Sequence, residues 1–413
     1  METVMDKKAA EQQLLDKLNA EQKNAVKSRA RLLGVVAGAG SGKTEVMSRR
    51  VAWWAEIDGI DRSKIIAFTF TEAAAEELKF RVRQKLQLVA EPEEEATLAG
   101  MYVGTIHSFC LKCLREFAPT EYYNFDVLDD AGRMSLVERG YWQVLGLQAF
   151  QAAANAAGTP GRFLPISLFL RSYDILNEHV AFKFAGPDAL PPRIEEERDW
   201  CKEFITKTKL GASTLNEAFS ISAARYYAYL KARRFLDFST AQSEFVRKLS
   251  TDKAFKKKFL DTFSHLVVDE VQDINPAQLA IINTIIDAGG HVTAVGDHRQ
   301  AIYSFRGGRV DLMGALFKRF QKAKDGELTS LPANYRSTPR IVKVANEWSS
   351  TIGDTAGLPS PDMNVADKER KDFHSSHVAA IHFGNRDEEA SWIASAINHL
   401  VPPSKPTLGA AHG

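Results

Sequence analysis

The sequence predicts an α/β protein: a parallel sheet covered by helices, a mainly helical insertion, and a partial second domain. Two observations predict it. Short apolar runs alternate with amphipathic segments over the first ~110 residues, the pattern of a parallel sheet buried on both faces. Strand signals then lapse from about 113 to 236 and resume with SHLVVDE and HVTAVGD, so the sheet is interrupted rather than ended. The expected organisation is one α/β unit over residues 1–112 and 237–326, a helical insertion over 113–236, and the start of a second α/β unit over 327–413.

Each element follows in order. The opening stretch, METVMDKKAAEQQLLDKLNAEQ, is charged and helical in pattern. RLLGVVAGAG reads as a buried strand ending in a glycine loop, TEVMSRRVAWWAEI as a helix, KIIAFTF as a second buried strand and EAAAEELKFRVRQKL as a helix. The insertion carries a proline-containing interruption at AGPDALPPRIEEE. Past 327, LTSLPANYRSTPRIVKVANEW begins something new, HVAAIHFGN suggests a strand and EEASWIASAINHL a helix. VPPSKPTLGAAHG has no element of its own.

Composition sets bounds. The chain has 413 residues, 45% hydrophobic and 25% charged, with 53 basic against 52 acidic side chains. A net charge of +1 argues against a broadly basic nucleic-acid coat but permits a local basic groove. Cys110, Cys113 and Cys201 are too few for a disulfide framework and suit a reducing cytoplasm. The N-terminus lacks the apolar run of a secretory signal, and no segment is apolar enough for a membrane span.

AGAGSGKT, residues 37–44, follows an apolar strand and opens a helix, the context a phosphate-binding loop requires. Ala37, Gly38, Ala39, Gly40, Ser41 and Gly42 are small enough to let backbone N–H groups converge on phosphate oxygens. Lys43 can reach the β- and γ-phosphates of ATP, and the Thr44 hydroxyl can ligate Mg²⁺. VVDEVQD, residues 267–273, ends a strand in carboxylates: Asp269 as a Mg²⁺ ligand, Glu270 to polarise an attacking water. In LNAEQKNAV, Asn19 and Gln22 form a variant capping box, and Gln22 could also hydrogen-bond an adenine edge; capping is the leading reading.

The ordered set LNAEQ, AGAGSGKT, FTFTEAAAEEL, GTIHSF, LDFS, VVDEVQD, VGDHRQAIYSFRG and LPANYRS resembles the UvrD/Rep/RecB family of superfamily-one DNA helicases, over roughly residues 15–395. The resemblance implies a RecA-like P-loop fold and ATP hydrolysis driven by single-stranded or partly duplex DNA. It implies that Gln300 senses the γ-phosphate and that Arg336 reaches it from the second domain as a finger. Tyr303 and Phe305 would contact or stack on bases, which suits a sequence-independent motor. As i, i+2 residues of a strand they would also share one face as core aromatics. Phe70, Thr71, Thr105 and His107 match DNA-contacting positions, though His107 reads equally as a structural histidine. Glu72 and Ala73 stand where the family commonly has Asn-Lys, and Ser239 replaces an acid in LDFST, whose other reading is a helix cap.

Other signals are discounted. Cys110 and Cys113 form a C-x-x-C without further ligands, so two thiols on one helix face is the better reading. KAFKKKF reads as a solvated helix face, and His374, His377 and His382 lack a metal pattern. The family continues for hundreds of residues past this point, with the rest of the second motor domain and a second arginine finger. Three expectations follow: a 3′-to-5′ helicase or translocase, an ATP- and DNA-binding subunit whose missing motifs come from a partner protein, or a folded but inactive remnant.

Overall fold

The computed structural model describes residues 7–89, 97–98, 100–146, 162–180, 212–302, 309–352, 358, 361–366 and 381–400. The centre is a six-stranded sheet in the order β3-β2-β6-β7-β1-β8. Its strands are β1 Leu32–Ala37, β2 Ile65–Thr69, β3 Tyr102–Thr105, β6 His265–Val268, β7 His291–Gly296 and β8 Gly326–Leu331. Every pairing in it is parallel. The α/β expectation holds, and all strands present their C-terminal ends at one edge, where open α/β sheets bind ligands.

Strand alternation divides the apolar side chains between two cores. Leu32, Val36, Ile66, Phe68, Leu266 and Val268 pack on one face with helices Ile106–Phe117, Phe238–Thr251, Pro276–Asp287 and Val310–Lys322. Leu33, Val35, Ala37, Ala67, Val267 and Val295 pack on the other, under α1 Lys7–Leu15, α2 Ala20–Lys27, α3 Lys43–Ala52 and α4 Glu72–Val89. Phe109 anchors the first core, fully buried with edge-on rings of Phe68, Tyr102, Phe245 and Phe263 around it.

The inserted segment is mainly helical where described, with its own core around Tyr141, Phe169, Tyr173, Phe219 and Tyr226. Two short strands, β4 Asp126–Leu128 and β5 Phe235–Asp237, pair in parallel and join its beginning to its end. Asp237 then caps the helix Phe238–Thr251 by accepting from Thr240 N at 2.8 Å, so the LDFST stretch is a helix entry.

β8 pairs with β1 from Gly326 to Leu331, so the main sheet runs past the expected boundary at 326. As an edge strand it is half exposed, and its sequence GELTSL lacks the apolar run of the inner strands. Beyond it, β9 Ala333–Asn334 pairs in parallel with β10 Asn364–Val365. The helix Pro339–Ser350 buries Val342 but leaves Ile341, Val344 and Trp348 exposed, with Ile352 continuing the same stripe. The expected strand over 377–385 is absent at 381–385, which are irregular; its other residues lie outside the described ones. The helix of EEASWIASAINHL is present as Arg386–Leu400.

Candidate nucleotide site

The loop between β1 and α3 turns through two left-handed glycines, Gly40 (φ 69°) and Gly42 (φ 84°). A side chain at Gly40 would start 2.7 Å from Arg336 Cβ, and one at Gly42 2.8 Å from Gln22 Nε2, so both conformation and space require glycine. Three consecutive loop carbonyls are held from outside. Asn334 Nδ2 donates to Ala39 O at 2.8 Å, Tyr335 N to Gly40 O at 2.9 Å and Gln22 Nε2 to Ser41 O at 2.9 Å. The carbonyls are turned outward, as an anion-binding loop requires, while Ser41 N donates to Gly38 O at 3.3 Å within the loop. The buried Ser41 hydroxyl has no hydrogen-bond partner among the described residues, as a phosphate-binding position would require.

Gln22 serves two ends. It completes the capping box of α2, accepting from Asn19 N at 3.2 Å while its own N–H donates to Asn19 Oδ1 at 2.8 Å. Its amide nitrogen reaches the phosphate loop. Capping is therefore confirmed, and a second, supporting role is added. Gln22, Gly40, Ser41, Gly42, Lys43, Thr44, Tyr335 and Arg336 line one open cleft of about 1170 Å³. Its rim is charged: Glu45 accepts from Arg49 Nε at 2.7 Å and pairs with Lys85 Nζ at 2.8 Å.

The carboxylates sit at the end of β6. Lys43 Nζ lies 2.9 Å from Glu270 Oε2, which brings the ends of two strands to one point. Burial, and then the neighbouring charge of Glu270, push the Asp269 carboxyl up to about 6, with Lys43 opposing. A cation beside Asp269 would reverse that penalty. Thr44 lines the cleft and Asp269 the crevice beside it, and both carry oxygens of the kind Mg²⁺ takes. No group of three or more His, Cys, Asp or Glu among the described residues would hold a metal by itself. A bound Mg²⁺ would therefore share phosphate oxygens with the protein.

β7 runs between β6 and β1, and its end carries Asp297 and Gln300. Gln300 Nε2 donates to Asp297 Oδ2 at 2.7 Å. Arg299 reaches the other way, donating to Ser349 Oγ at 3.2 Å and Pro361 O at 3.1 Å. Arg336 lines the cleft and makes no ion pair among the described residues. Its backbone N–H and that of Ser337 donate to Asn334 Oδ1 at 2.9 and 2.7 Å, which sets the turn that presents it. Asn334 and Tyr335 are site residues that sequence reasoning missed, although both stand in LPANYRS beside Arg336.

The expected DNA-side residues separate. Phe70 and His107 line a narrow crevice with Asp269 and Glu270. Burial pushes the His107 imidazole down to about 4, and its ring packs edge-on to the exposed Phe238 at 5.7 Å. Phe238, unmarked in the sequence, is the aromatic surface at this place. Thr105 is buried; its Oγ1 accepts from Ser108 N and donates to Glu72 Oε1 at 2.9 Å. Thr71 is exposed and its hydroxyl accepts from Ala74 N at 3.1 Å. Tyr303 and Phe305 lie outside the described residues, as do His374 and His377. Cys110 and Cys113 are buried free thiols on one helix face, and the lysines of KAFKKKF are exposed while Phe255 and Phe259 enter the core.

A parallel sheet with a glycine loop after its first strand and paired carboxylates two strands away defines a RecA-like P-loop domain. Residues 18–321 match the UvrD/REP helicase N-terminal domain, and the chain belongs to that family. It is 29% identical over 408 residues to the ATP-dependent DNA helicase UvrD1 of Mycobacterium tuberculosis, covering 96% of this chain and 46% of that protein. It is 26% identical over 399 residues to the probable DNA helicase II homolog of Mycoplasma capricolum, covering 94% and 47%. It is 29% identical over 335 residues to the ATP-dependent DNA helicase Rep of Escherichia coli, covering 80% and 43%. The chain spans about half the length of these relatives. No helix among the described residues is long and apolar enough to cross a membrane.

Proposed function

We propose that the chain is the ATP-hydrolysing part of a UvrD-type DNA helicase or translocase moving 3′-to-5′ on single-stranded DNA, acting in cytoplasmic DNA repair or recombination. One observation carries the reading: Lys43, seated in a loop whose carbonyls are tied back, lies 2.9 Å from Glu270. In this arrangement Lys43 and the loop N–H groups hold the phosphates, and Tyr335 offers a ring on the cleft wall for the base. Thr44 and Asp269 would hold Mg²⁺, which would neutralise phosphate charge. Glu270 takes the proton of the attacking water, Gln300 reads the γ-phosphate, and Arg336 stabilises charge developing on it. DNA lies on the side of Phe70, Thr71, Thr105 and His107, with Phe238 added, and the family resemblance assigns Tyr303 and Phe305 to base contacts.

A second reading rests on the exposed stripe Ile341, Val344 and Trp348. An apolar face of this kind marks a contact surface. Here the chain binds ATP and DNA, and a partner protein supplies what completes the motor. Turnover of ATP by the purified chain, with and without single-stranded DNA and with Lys43→Ala as control, tests both. DNA-stimulated turnover lost in the variant supports the first. Nucleotide and DNA binding without turnover supports the second. Normal turnover in Lys43→Ala overturns the phosphate-loop assignment.

A further inference from the structure

Gln272 is almost fully buried, and neither end of its amide is idle. Its Nε2 donates to Glu270 Oε2 at 2.7 Å and to Asp273 Oδ2 at 3.2 Å. Its Oε1 accepts from the backbone N–H of Asp297 at 3.0 Å. Asp297 in turn holds Gln300 through its Oδ2. A continuous hydrogen-bonded path therefore runs Lys43–Glu270–Gln272–Asp297–Gln300, from the end of β6 to the end of β7.

Glu270 needs such a hold. Its backbone is left-handed, φ 47° and ψ 45°, a conformation unfavourable for a non-glycine residue. Asp269 Oδ1 accepts its N–H at 2.9 Å and Asp273 N donates to its carbonyl at 2.9 Å, which fixes the main chain. The side chain is fixed by Lys43 and Gln272, both on Oε2, so Oε1 has no hydrogen-bond partner among the described residues. Only an amide of this length both donates to the carboxylate and accepts from a main-chain N–H. Space is reserved for it: a Cβ on Gly296 would lie 2.6 Å from Gln272 Oε1.

We propose that Gln272 is a positioning residue that couples the Glu270 carboxylate to the Asp297–Gln300 segment, so that the two respond to the γ-phosphate together. This rests on the roles given above to Glu270 and Gln300. When nucleotide draws Lys43 off Glu270, Gln272 is the remaining side chain holding that carboxylate. Any shift of Gln300 toward phosphate then moves the Asp297 N–H on which Gln272 hangs.

The test uses fluorescent ATP and ADP analogues with the full chain, reading the ratio of their dissociation constants. Glu270→Gln, Gln300→Ala and the double variant are measured in the native background and in Gln272→Met. With Gln272 present, the two substitutions are expected to be non-additive by at least about twofold in that ratio, and additive once Gln272 is replaced. Additivity in the native background overturns the coupling, and non-additivity that persists in Gln272→Met overturns Gln272 as its carrier. Gln272→Glu is a second, volume-conserving variant if Gln272→Met does not fold. It keeps an acceptor but removes the N–H that Glu270 accepts, so additivity is expected in it as well, and non-additivity that persists overturns Gln272 as the carrier. A native chain that binds neither analogue overturns the phosphate-site reading itself, whereas intact binding without coupling overturns only this inference.

Discussion

Lys43 and Glu270 form an ion pair of 2.9 Å between the first turn of α3 and the end of β6. Nucleotide must exchange one anionic partner of Lys43 for another. Glu270→Gln removes the competitor, so ATP affinity is expected to rise severalfold. Turnover is expected to fall by roughly 10²-fold or more, as for loss of a general base. Equilibrium binding and steady-state turnover of the same preparation separate the two effects. Weaker binding in this variant would mean that the ion pair organises the site rather than occupying it.

Asn334 holds the phosphate loop with one end and the Arg336 turn with the other. Asn334→Ala leaves the Ala39 carbonyl and two N–H groups to find new partners, a cost of about 1–3 kcal/mol for each one left buried and unpaired. ATP affinity is expected to weaken by roughly tenfold, the equivalent of about 1.4 kcal/mol. Unchanged affinity together with a lowered melting temperature would confine Asn334 to a structural role.

Asp269 gives the fold a pH dependence of defined sign. Its carboxyl titrates at about 6 against an ordinary 3.8, so between those values the native state holds a proton the unfolded chain has lost. Stability from this group falls as pH rises through that window, by about 3 kcal/mol once it is ionised in both states. Asp269→Asn is expected to melt a few degrees higher than the native chain at pH 7.5 and at nearly the same temperature at pH 4, while losing Mg²⁺-dependent nucleotide binding. Parallel melting curves at the two pH values would remove Asp269 as the source.

Cys110 and Cys113 sit in the first core, where burial raises both thiols above their ordinary range. Inert thiols of that kind resist disulfide-exchange reagents. Mass mapping after treatment at pH 8 is expected to find both unmodified in the native chain and both modified in denaturant. Rapid native labelling would show that the helix Ile106–Phe117 opens readily.

The phosphate loop was legible because its chemistry is local: small residues, Lys43 and Thr44 are contiguous, and the flanking apolar run announces a strand. The capping box of Asn19 and Gln22 was legible for the same reason. The reach of Gln22 to Ser41 O was not, since it joins residues 19 apart in sequence. Asn334 and Gln272 were hidden likewise, because a buried amide is identified by its partners and nothing adjacent in sequence names them. The strand β8 was not legible because it lies at a sheet edge, where polar residues are tolerated and the apolar signal fades. Glu270's left-handed backbone has no sequence signature, since such strain is maintained by surroundings rather than by residue type.

The stripe along the helix Pro339–Ser350 also governs how the molecule behaves in a tube. Trp348 is 71% exposed, while Trp53 and Trp54 are only 3% and 2% exposed. With Trp142 and Trp392, 62% and 48% exposed, it emits from water while those two emit from the interior, and a water-soluble quencher darkens the exposed set before the buried pair. Concentrating the chain, or adding sulfate, presses such faces against one another. The part of that emission lost in Trp348→Phe thus reports, without any label, when copies begin to crowd together.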